Sequence, residues 1–421
     1  MKIDTRADNG ARTRDLNLGK VALYQLSYVR AVAIARDQGF TLADAGPNDQ
    51  SVGRSGAPPG SVCDVDAHAA FRTVSARQCV EHIDAARDGH RLAQSGFWVL
   101  VGTFEGRLDA WRFEDVSWHG AAPEIPTGRR WEGPAQSSWQ SSLTEAQYVA
   151  GVERIRDDIR EGDVYQVNLC RVLSAPLPAG NGGPDAVALS QRLATGNPAR
   201  YAARVVVPEQ DGTPGTWVVS ASPERYLSVE GDVVMSSPIK GTAAPGEQML
   251  PKDEAENVMI TDLIRNDLSH IAVPGSVTVP EFLALHDLPG LTHLQSTVTA
   301  RTAEAFNWTP EMWPALLRGT FPPGSVSGAP KSSALEIIAR EETIARGPYC
   351  GAIGWIDGDS RTAELAVGIR TFWWDDADGG TLRFGTGAGI TWGSDPVAEW
   401  HETELKARRL ITLASADTIS A

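Results

Sequence analysis

Long strand patterns, separated by only a few helix patterns, constrain the fold of this chain more than any other feature of its sequence. Patterns rich in β-branched and aromatic residues occupy residues 163–173, 203–207, 216–222, 226–235, 351–356, 363–374 and 381–389. Helix patterns occupy residues 144–162, 253–271, 329–342 and 395–414. Strands that follow one another in runs favour an α+β or layered α/β fold over a regular βαβ array.

The helix pattern over residues 144–162 has the clearest ends. Thr144 and Gln147 have the spacing of a capping box, and Gly162 stands where a helix-ending glycine belongs. Between them, apolar residues recur at helical spacing. We predict a helix here that leads directly into the strand over residues 163–173.

Composition bounds the class of partner. The chain has 38 basic and 53 acidic residues, a formal net charge of −15, whereas a nucleic-acid-binding protein normally shows a basic excess. We therefore predict no nucleic-acid partner. An anionic small molecule is still compatible, because local cations or a metal can reverse the field inside a cleft.

The four cysteines and the absence of long apolar runs bear on the compartment. Cys63, Cys79, Cys170 and Cys350 lie far apart, in no CxxC pair, which predicts neither a zinc site nor a disulfide scaffold. The polar N-terminus lacks the apolar core of a signal peptide, and no run approaches the ~20 apolar residues of a membrane span. We predict a soluble, cytoplasmic protein without a membrane partner.

The sequence patterns divide the chain into two parts, of which only the second has clear helix, strand and catalytic patterns. Residues 1–135 mix strand candidates with loops and show no catalytic pattern, and we predict an N-terminal subdomain integrated into the same fold. Residues 119–142 are rich in Gly, Pro and Ser, which is typical of a connector. Residues 136–421 are predicted to be the catalytic region.

The last helix pattern carries a suggestive polar face. Glu399, Glu402 and Lys406 stand at i, i+3 and i+7, an arrangement that a solvated helix face also explains. The preceding run GTGAGI, residues 385–390, predicts a glycine-rich turn with backbone N–H groups for an anion. Its GxGxG spacing is not that of a dinucleotide site. Carboxylates beside such donors fit a metal-plus-carboxylate site.

A third carboxylate, Glu256, is predicted in the first turn of the helix over residues 253–271. First-turn acids commonly serve only the helix dipole. Together with Glu399 and Glu402, however, Glu256 would supply the oxygen ligands that a hard cation such as Mg²⁺ prefers.

Four further residues are candidates, each with an ordinary alternative. Lys240, alone in an apolar run, would usually be a surface lysine at a strand end. Ser325 precedes a helix whose N-terminus would bind an anion, or is part of a plain junction. His293 would transfer protons or be a satisfied core residue. Arg370, in an apolar strand, calls for an anionic partner.

Ten segments in consistent order resemble the chorismate-utilising enzymes. They span roughly residues 145 to 410 and include IREGDVYQVNL, SPERYLSVEGDVVMSSPIKGT, AENVMITDLIRNDL, THLQSTVTA, PPGSVSGAPKSSALEII, RGPYCGAIGWI, GIRT, GTGAGI and SDPVAEWHETELKA. The resemblance implies the family's α+β fold: two large, mostly antiparallel β-sheets packed face to face, with helices on the outside.

The resemblance also implies a site. It implies Mg²⁺ near Glu256, Glu399 and Glu402, with chorismate as the substrate. Because chorismate is a dianion, its carboxylates would need donors, which the family places at Tyr349, Arg370, Lys406 and the backbone of Gly387, Ala388 and Gly389. His293, which the resemblance places among the catalytic residues, and Ser325 would line the ring region.

Two positions divide the family. Members that add water carry a lysine base where this chain has Gln166, so the resemblance favours the members that add ammonia. Among those, anthranilate synthases resemble PIAGT and aminodeoxychorismate synthases PIKGT, and this chain has PIKGT with Lys240. The resemblance implies that Lys240 attacks ring C2, that Glu224 protonates the departing C4 hydroxyl, and that ammonia then gives 4-amino-4-deoxychorismate.

The source of ammonia is implied to be a second protein. No cysteine lies in a Gly-x-Cys-x-Gly elbow, so the chain lacks a glutaminase half and a glutamine amidotransferase subunit is the expected partner. The product would serve p-aminobenzoate and folate synthesis or a related secondary metabolite. Anthranilate synthase component I is the alternative, and a non-catalytic chorismate-binding protein is a second one.

Overall fold

The computed structural model describes residues 67–120, 130–180, 183–210, 212–243, 248–288, 291–376 and 379–416. All of them belong to one compact unit, Pro58–Ala421. Cys63, the first 66 residues and part of the predicted connector lie outside these ranges. The boundary near residue 135 stays a prediction.

The strands of the described residues are numbered in chain order. The first nine are β1 His68–Phe71, β2 Val74–Asp84, β3 Phe97–Gly102, β4 Leu108–Trp118, β5 Gln140–Ser141, β6 Gln166–Pro176, β7 Tyr201–Val207, β8 Thr216–Ser222 and β9 Arg225–Glu230. The others are β10 Val233–Ser237, β11 Ile239–Ala243, β12 Thr278–Leu288, β13 Leu291–Arg301, β14 Gly328–Ala329, β15 Ala352–Asp357, β16 Thr362–Val367, β17 Thr371–Asp375 and β18 Thr381–Ile390.

Helices of the described residues are numbered likewise. They are α1 Ala85–Asp88, α2 Glu145–Glu161, α3 Ala186–Gly196, α4 Pro251–Ser269, α5 Met312–Thr320, α6 Lys331–Glu341 and α7 Pro396–Ala414. The predicted ends of α2 are confirmed, because Thr144 and Gln147 form the capping box and Gly162 ends the helix in the left-handed conformation. Within the described ranges, no helix has both the length and the apolarity needed to cross a bilayer.

Every strand pairing among the described residues is antiparallel, which confirms the predicted α+β class. The two expected sheets are, however, joined into a single sheet of 18 strands. One half runs β12–β13–β10–β9–β16–β15 and the other β7–β8–β17–β18–β6. Strands β1 to β4 connect them, since β3 pairs with β15 and β1 with β7. The N-terminal strands therefore make the sheet continuous.

Two apolar clusters cover this sheet. The larger extends from the N-terminal strands to α2, α4, α5 and α6, and the smaller packs α3 and the end of α7 onto β8, β17 and β18. The three described cysteines are buried and form no disulfide bond with one another. A sheet of this size has to curve, and the helices pack on the surfaces that the curvature creates.

Two of the predicted long strands are interrupted. Residues 226–235 form β9 and β10, which are joined by a tight turn in which Gly231 has a φ of 59°. Residues 363–374 form β16 and β17, and Arg370 lies in the break with a φ of 52°. The Gly231–Asp232 pair is a hairpin signal that the sequence does contain, whereas the positive φ of Arg370 cannot be read from an apolar pattern.

Candidate active site

Charged side chains from β11, α4 and α7 meet in one cluster. Lys252 Nζ lies 2.6 Å from Glu399 Oε1 and 4.0 Å from Glu256 Oε1. Lys240 Nζ lies 3.8 Å from Glu256 Oε2. Because α4 begins at Pro251, Glu256 stands in the second turn, and the predicted first-turn position is wrong. The structure thus brings two of the three predicted metal ligands together with the predicted nucleophile.

The position of α7 is determined by its cap and by one buried arginine. Asp395 accepts hydrogen bonds from two backbone N–H groups of the first turn, and Pro396 is the first helical residue. Arg171 of β6 is buried, stacks 4.1 Å from the centroid of the Trp400 ring and donates to Thr403 Oγ1 at 3.0 Å. These contacts hold the helix face that carries Glu399 and Glu402.

The remaining polar residues of that face meet β18. Lys406 Nζ lies 2.6 Å from Glu402 Oε1 and donates to the carbonyl oxygen of Gly387 at 3.1 Å. Burial alone would raise the pKa of Glu402, but the ammonium of Lys406 outweighs it and lowers the pKa below its usual value. Glu402 is therefore an ionised carboxylate held by Lys406.

The run GTGAGI belongs to β18, which confirms the predicted strand over residues 381–389, and the turn also predicted for this run is not formed. It forms the second half of β18, where Gly387 pairs with Cys170, Ala388 with Leu169 and Gly389 with Asn168. The turn prediction is wrong because β6 supplies ladder partners along the whole run. Of the three residues predicted to offer backbone groups, Gly387 contacts a site side chain among the described residues, because its carbonyl oxygen accepts a hydrogen bond from Lys406. Ala388 is fully buried.

The glycines of this strand leave room for side chains. A Cβ at Gly385 would collide with the ring of Tyr349, and one at Gly389 would collide with the amide of Gln166. The Tyr349 hydroxyl lies 4.0 Å from Cys170 Sγ, and burial raises the pKa of that hydroxyl well above its usual value. Tyr349 is thus packed beneath β18.

Glu224 is a buried carboxyl group beside Lys240. It lies between β8 and β9, where the Ser325 hydroxyl, the backbone of Ile239 and the charge of Lys240 favour its ionised form. Burial disfavours the carboxylate more than these donors and Lys240 stabilise it, so its pKa rises to about 7. Glu224 can therefore hold a proton near neutral pH.

His293 and Arg370 lie close enough to repel when both are charged. His293, on β13, is buried, and burial together with the charge of Arg370 lowers its pKa to about 4. Burial also lowers the pKa of Arg370. Among the described residues, no carboxylate stands at ion-pair distance from the Arg370 guanidinium. Arg370 is a half-buried cation for which the described residues provide no counter-ion.

The carboxylates near Lys252 fit a hard cation in part. In the described part of the chain, no three His, Cys, Asp or Glu side chains converge as a ready ligand set. Glu399 is nevertheless buried, and its Oε2 atom has no hydrogen-bond partner among the described residues. Burial raises the pKa of Glu256, although Lys240 and Lys252 oppose the shift. Mg²⁺ typically uses one or two carboxylates and completes its shell with water and substrate oxygens, so Glu256 and Glu399 suit it.

The sequence analysis missed one residue of this cluster, Lys252. Its i, i+4 spacing to Glu256 is visible in the sequence and would have placed both on one helix face. Its stronger contact, with Glu399, joins residues 147 positions apart and has no local signal. Burial opposes protonation of Lys252, but Glu399 and Glu256 outweigh it and raise its pKa.

Sequence comparison places this site in a known family. The family model of the chorismate binding enzyme matches residues 109–412. Aminodeoxychorismate synthase component 1 of Salmonella typhimurium is 36% identical over 65% of this chain, and anthranilate synthase component 1 of Streptomyces coelicolor is 37% identical over 65%. The matches cover 59% and 52% of those two proteins, so the chain matches little more than half of their length.

Structural comparison agrees at the level of the fold. The isochorismate synthase DhbC of Bacillus anthracis superposes with a TM-score of 0.66 at 20% identity, covering 83% of this chain and 96% of DhbC. Anthranilate synthase component I of Streptococcus pneumoniae superposes with a TM-score of 0.63 at 21% identity, covering 87% and 95%. The chain therefore belongs to the chorismate-binding enzymes.

Proposed function

We propose that this protein is component I of an aminodeoxychorismate synthase, which converts chorismate and ammonia into 4-amino-4-deoxychorismate. The observation that carries the proposal is the position of Lys240, which lies 3.8 Å from Glu256 and beside the buried Glu224 carboxyl. A lysine amine thus lies within electrostatic reach of a carboxyl group with a pKa of about 7. Relatives that make anthranilate are equally similar in sequence, so the proposal rests on Lys240.

The two groups divide the chemistry between them. The Lys240 amine bonds to ring C2, the ring double bond shifts, and the C4–oxygen bond breaks as Glu224 gives its proton to the leaving hydroxyl. Ammonia then bonds to C4, the double bond shifts back, and the C2–nitrogen bond breaks to release Lys240. Chorismate and ammonia are converted into 4-amino-4-deoxychorismate and water, with no redox change.

Binding of the dianionic substrate is assigned to the cationic groups of the site. Arg370 and Lys406 would receive carboxylates, and Tyr349, Gly387, Ala388 and Gly389 would border them. Magnesium, held by Glu256 and Glu399 with Glu402 nearby, would supply positive charge for the ring carboxylate. Ser325 holds Glu224 in place, and His293, neutral near pH 7, would face the ring without repelling Arg370.

Ammonia is assigned to a glutamine amidotransferase subunit, as the name component I of the relatives suggests. We place the product in p-aminobenzoate and folate synthesis or a related secondary pathway in the cytoplasm. These assignments extend the proposed reaction to its partner and setting.

Product identity tests the proposal directly. The protein is incubated with chorismate, Mg²⁺ and an ammonium salt, with and without an aminodeoxychorismate lyase. We expect p-aminobenzoate only when the lyase is present. Anthranilate formed without the lyase would establish the alternative function, and absence of any product would favour a non-catalytic chorismate-binding protein.

Substitution of the nucleophile tests the mechanism. Lys240→Ala should lower the rate of product formation at least about a thousandfold, because no other amine replaces the covalent step. Lys240→Arg, which keeps the charge but not the nucleophile, should fail equally while still binding chorismate. Circular dichroism checks the fold of both variants, and unchanged turnover of either would show that Lys240 is not the nucleophile.

A further inference from the structure

Lys252 occupies a position that the proposed reaction does not use. It is the second residue of α4, and its side chain is 34% exposed. Its ammonium contacts Glu399 Oε1 at 2.6 Å and stands 4.0 Å from Glu256 Oε1. The same two carboxylates are the ones assigned above to a divalent cation. One ammonium therefore links the two proposed ligands across two helices.

An ammonium and a divalent cation cannot both occupy this position. Magnesium binds carboxylate oxygens at about 2.0–2.1 Å and would need the oxygens that Lys252 now contacts. Two cations in such proximity also repel one another strongly. The ammonium of Lys252 leaves one carboxylate oxygen available, because the buried Oε2 atom of Glu399 has no hydrogen-bond partner among the described residues. Lys252, being partly exposed, has a route towards solvent.

We propose that Lys252 is the resident cation of the Glu256–Glu399 pair, and that a divalent cation binds by displacing its ammonium towards solvent. This inference rests on the magnesium site of the proposed function. In the metal-free protein Lys252 keeps the two carboxylates from repelling each other, and it lowers the affinity for the metal. Tight metal binding then depends on a substrate that contributes a carboxylate of its own. Lys252 is thus a positioning residue that sets the metal affinity.

The first test is metal binding without chorismate. Mg²⁺ is titrated calorimetrically, with Mn²⁺ and electron paramagnetic resonance as a second probe, into the wild type, Lys252→Met and Lys240→Met. Lys252→Met should bind the metal at least about tenfold more tightly than the wild type, since the competing ammonium is gone. Lys240→Met removes the same charge from beside Glu256 but leaves Glu399 occupied, so its gain should be clearly smaller.

Two outcomes of the titration would overturn the inference. Unchanged affinity of Lys252→Met would show that Lys252 does not compete, and equal gains in both variants would show that only the overall charge matters. Absence of binding by all three proteins, with or without chorismate, would remove the magnesium site and this inference with it. The lyase-coupled product assay decides the proposed reaction separately.

The second test uses the wild type and therefore does not depend on the folding of a variant. Lysines are acetylated with acetic anhydride, and the rate at each is followed by mass spectrometry with and without Mg²⁺. Lys252 should react several-fold faster with the metal, because its ammonium is released. Lys331, in an ion pair of 2.9 Å with Asp267, is the control and should not change. A rate for Lys252 that falls or stays constant would overturn the inference.

Discussion

Two arginines, one fully buried and one half-buried, show how the scaffold and the site of this protein differ. The Arg346 guanidinium binds Glu342 at 2.6 and 2.8 Å, donates to the carbonyl oxygens of Val326 and Asn168 at 2.9 and 2.6 Å, and stacks 4.0 Å from the Phe104 ring centroid. Arg370 is half-buried, and no carboxylate among the described residues pairs with it. The chain provides every partner of the first arginine and leaves the second without a counter-ion.

The same contrast extends to the surroundings. Beside Lys252 and Gly389, the buried oxygen atoms Glu399 Oε2 and Gln166 Oε1 have no hydrogen-bond partner in the described part of the chain. A buried polar group without a partner lowers stability. A ligand that bonds to these two oxygen atoms would remove that cost.

The largest loss of folding stability is expected on substitution of Arg346, whose hydrogen-bond partners the chain itself provides. Arg346→Met leaves the buried Glu342 carboxylate and two carbonyl groups without their donor, which should lower the free energy of unfolding by about 3–5 kcal/mol. Urea denaturation measures the loss. Arg160→Met, which breaks an exposed pair with Asp157, is the control and should cost at most about 1 kcal/mol. A small loss at Arg346 would remove the distinction drawn above.

Substitution of Arg370 should weaken chorismate binding without lowering the stability of the fold. Arg370→Met should raise the KM for chorismate about a hundredfold, because a substrate carboxylate loses the half-buried guanidinium proposed to bind it. The urea midpoint should stay the same or rise, since an unpaired half-buried charge is removed. Arg370→Lys should recover part of the affinity. A loss of stability comparable to that of Arg346→Met would mean that Arg370 belongs to the scaffold.

The smallest effect is a pH-dependent gain in stability at Glu224. Its folded pKa of about 7 lies above the ordinary 4.5, so the native state binds more protons than the unfolded chain between those pH values. Stability contributed by this carboxyl group is therefore lost as the pH rises towards 7. Glu224→Gln should raise the Tm at pH 8, leave it nearly unchanged at pH 5, and abolish turnover.

A matched exposed carboxylate is the control for that experiment. Glu336→Gln, on the exposed face of α6, should change the Tm little and by the same amount at both pH values. If Glu224→Gln behaves in the same way, the carboxyl group of Glu224 is ionised in the native state near neutral pH and does not serve as the proton donor.

Local patterns predicted those parts of the molecule that local forces determine. The capping box of α2 follows from backbone groups within one turn and is confirmed, and the helix pattern over residues 395–414 is confirmed as α7. The joining of the two half-sheets by β1 to β4 could not be predicted. It depends on pairings such as β3 with β15, which connect residues about 250 positions apart and leave no periodic signal.

The site was predictable as a set of residues but not as a geometry. The predicted residues Glu256, Glu399 and Lys240 do meet through their contacts. The glycine run forms the predicted strand, because β6 supplies its ladder partners, and the turn also predicted there is not formed. The ammonium of Lys252 between two carboxylates follows only from the tertiary fold, which brings the start of α4 to Glu399 of α7.

The contact between Lys252 and Glu399 closes a loop of 147 residues, and this has a consequence for folding. Pairings between distant parts of a chain form late and slow the search for the native state. The charged cluster is therefore expected to form only when α4 and α7 are both in place. The proposed ligands, chorismate and a divalent cation, would then bind the native state alone and protect the finished protein from proteolysis and heat.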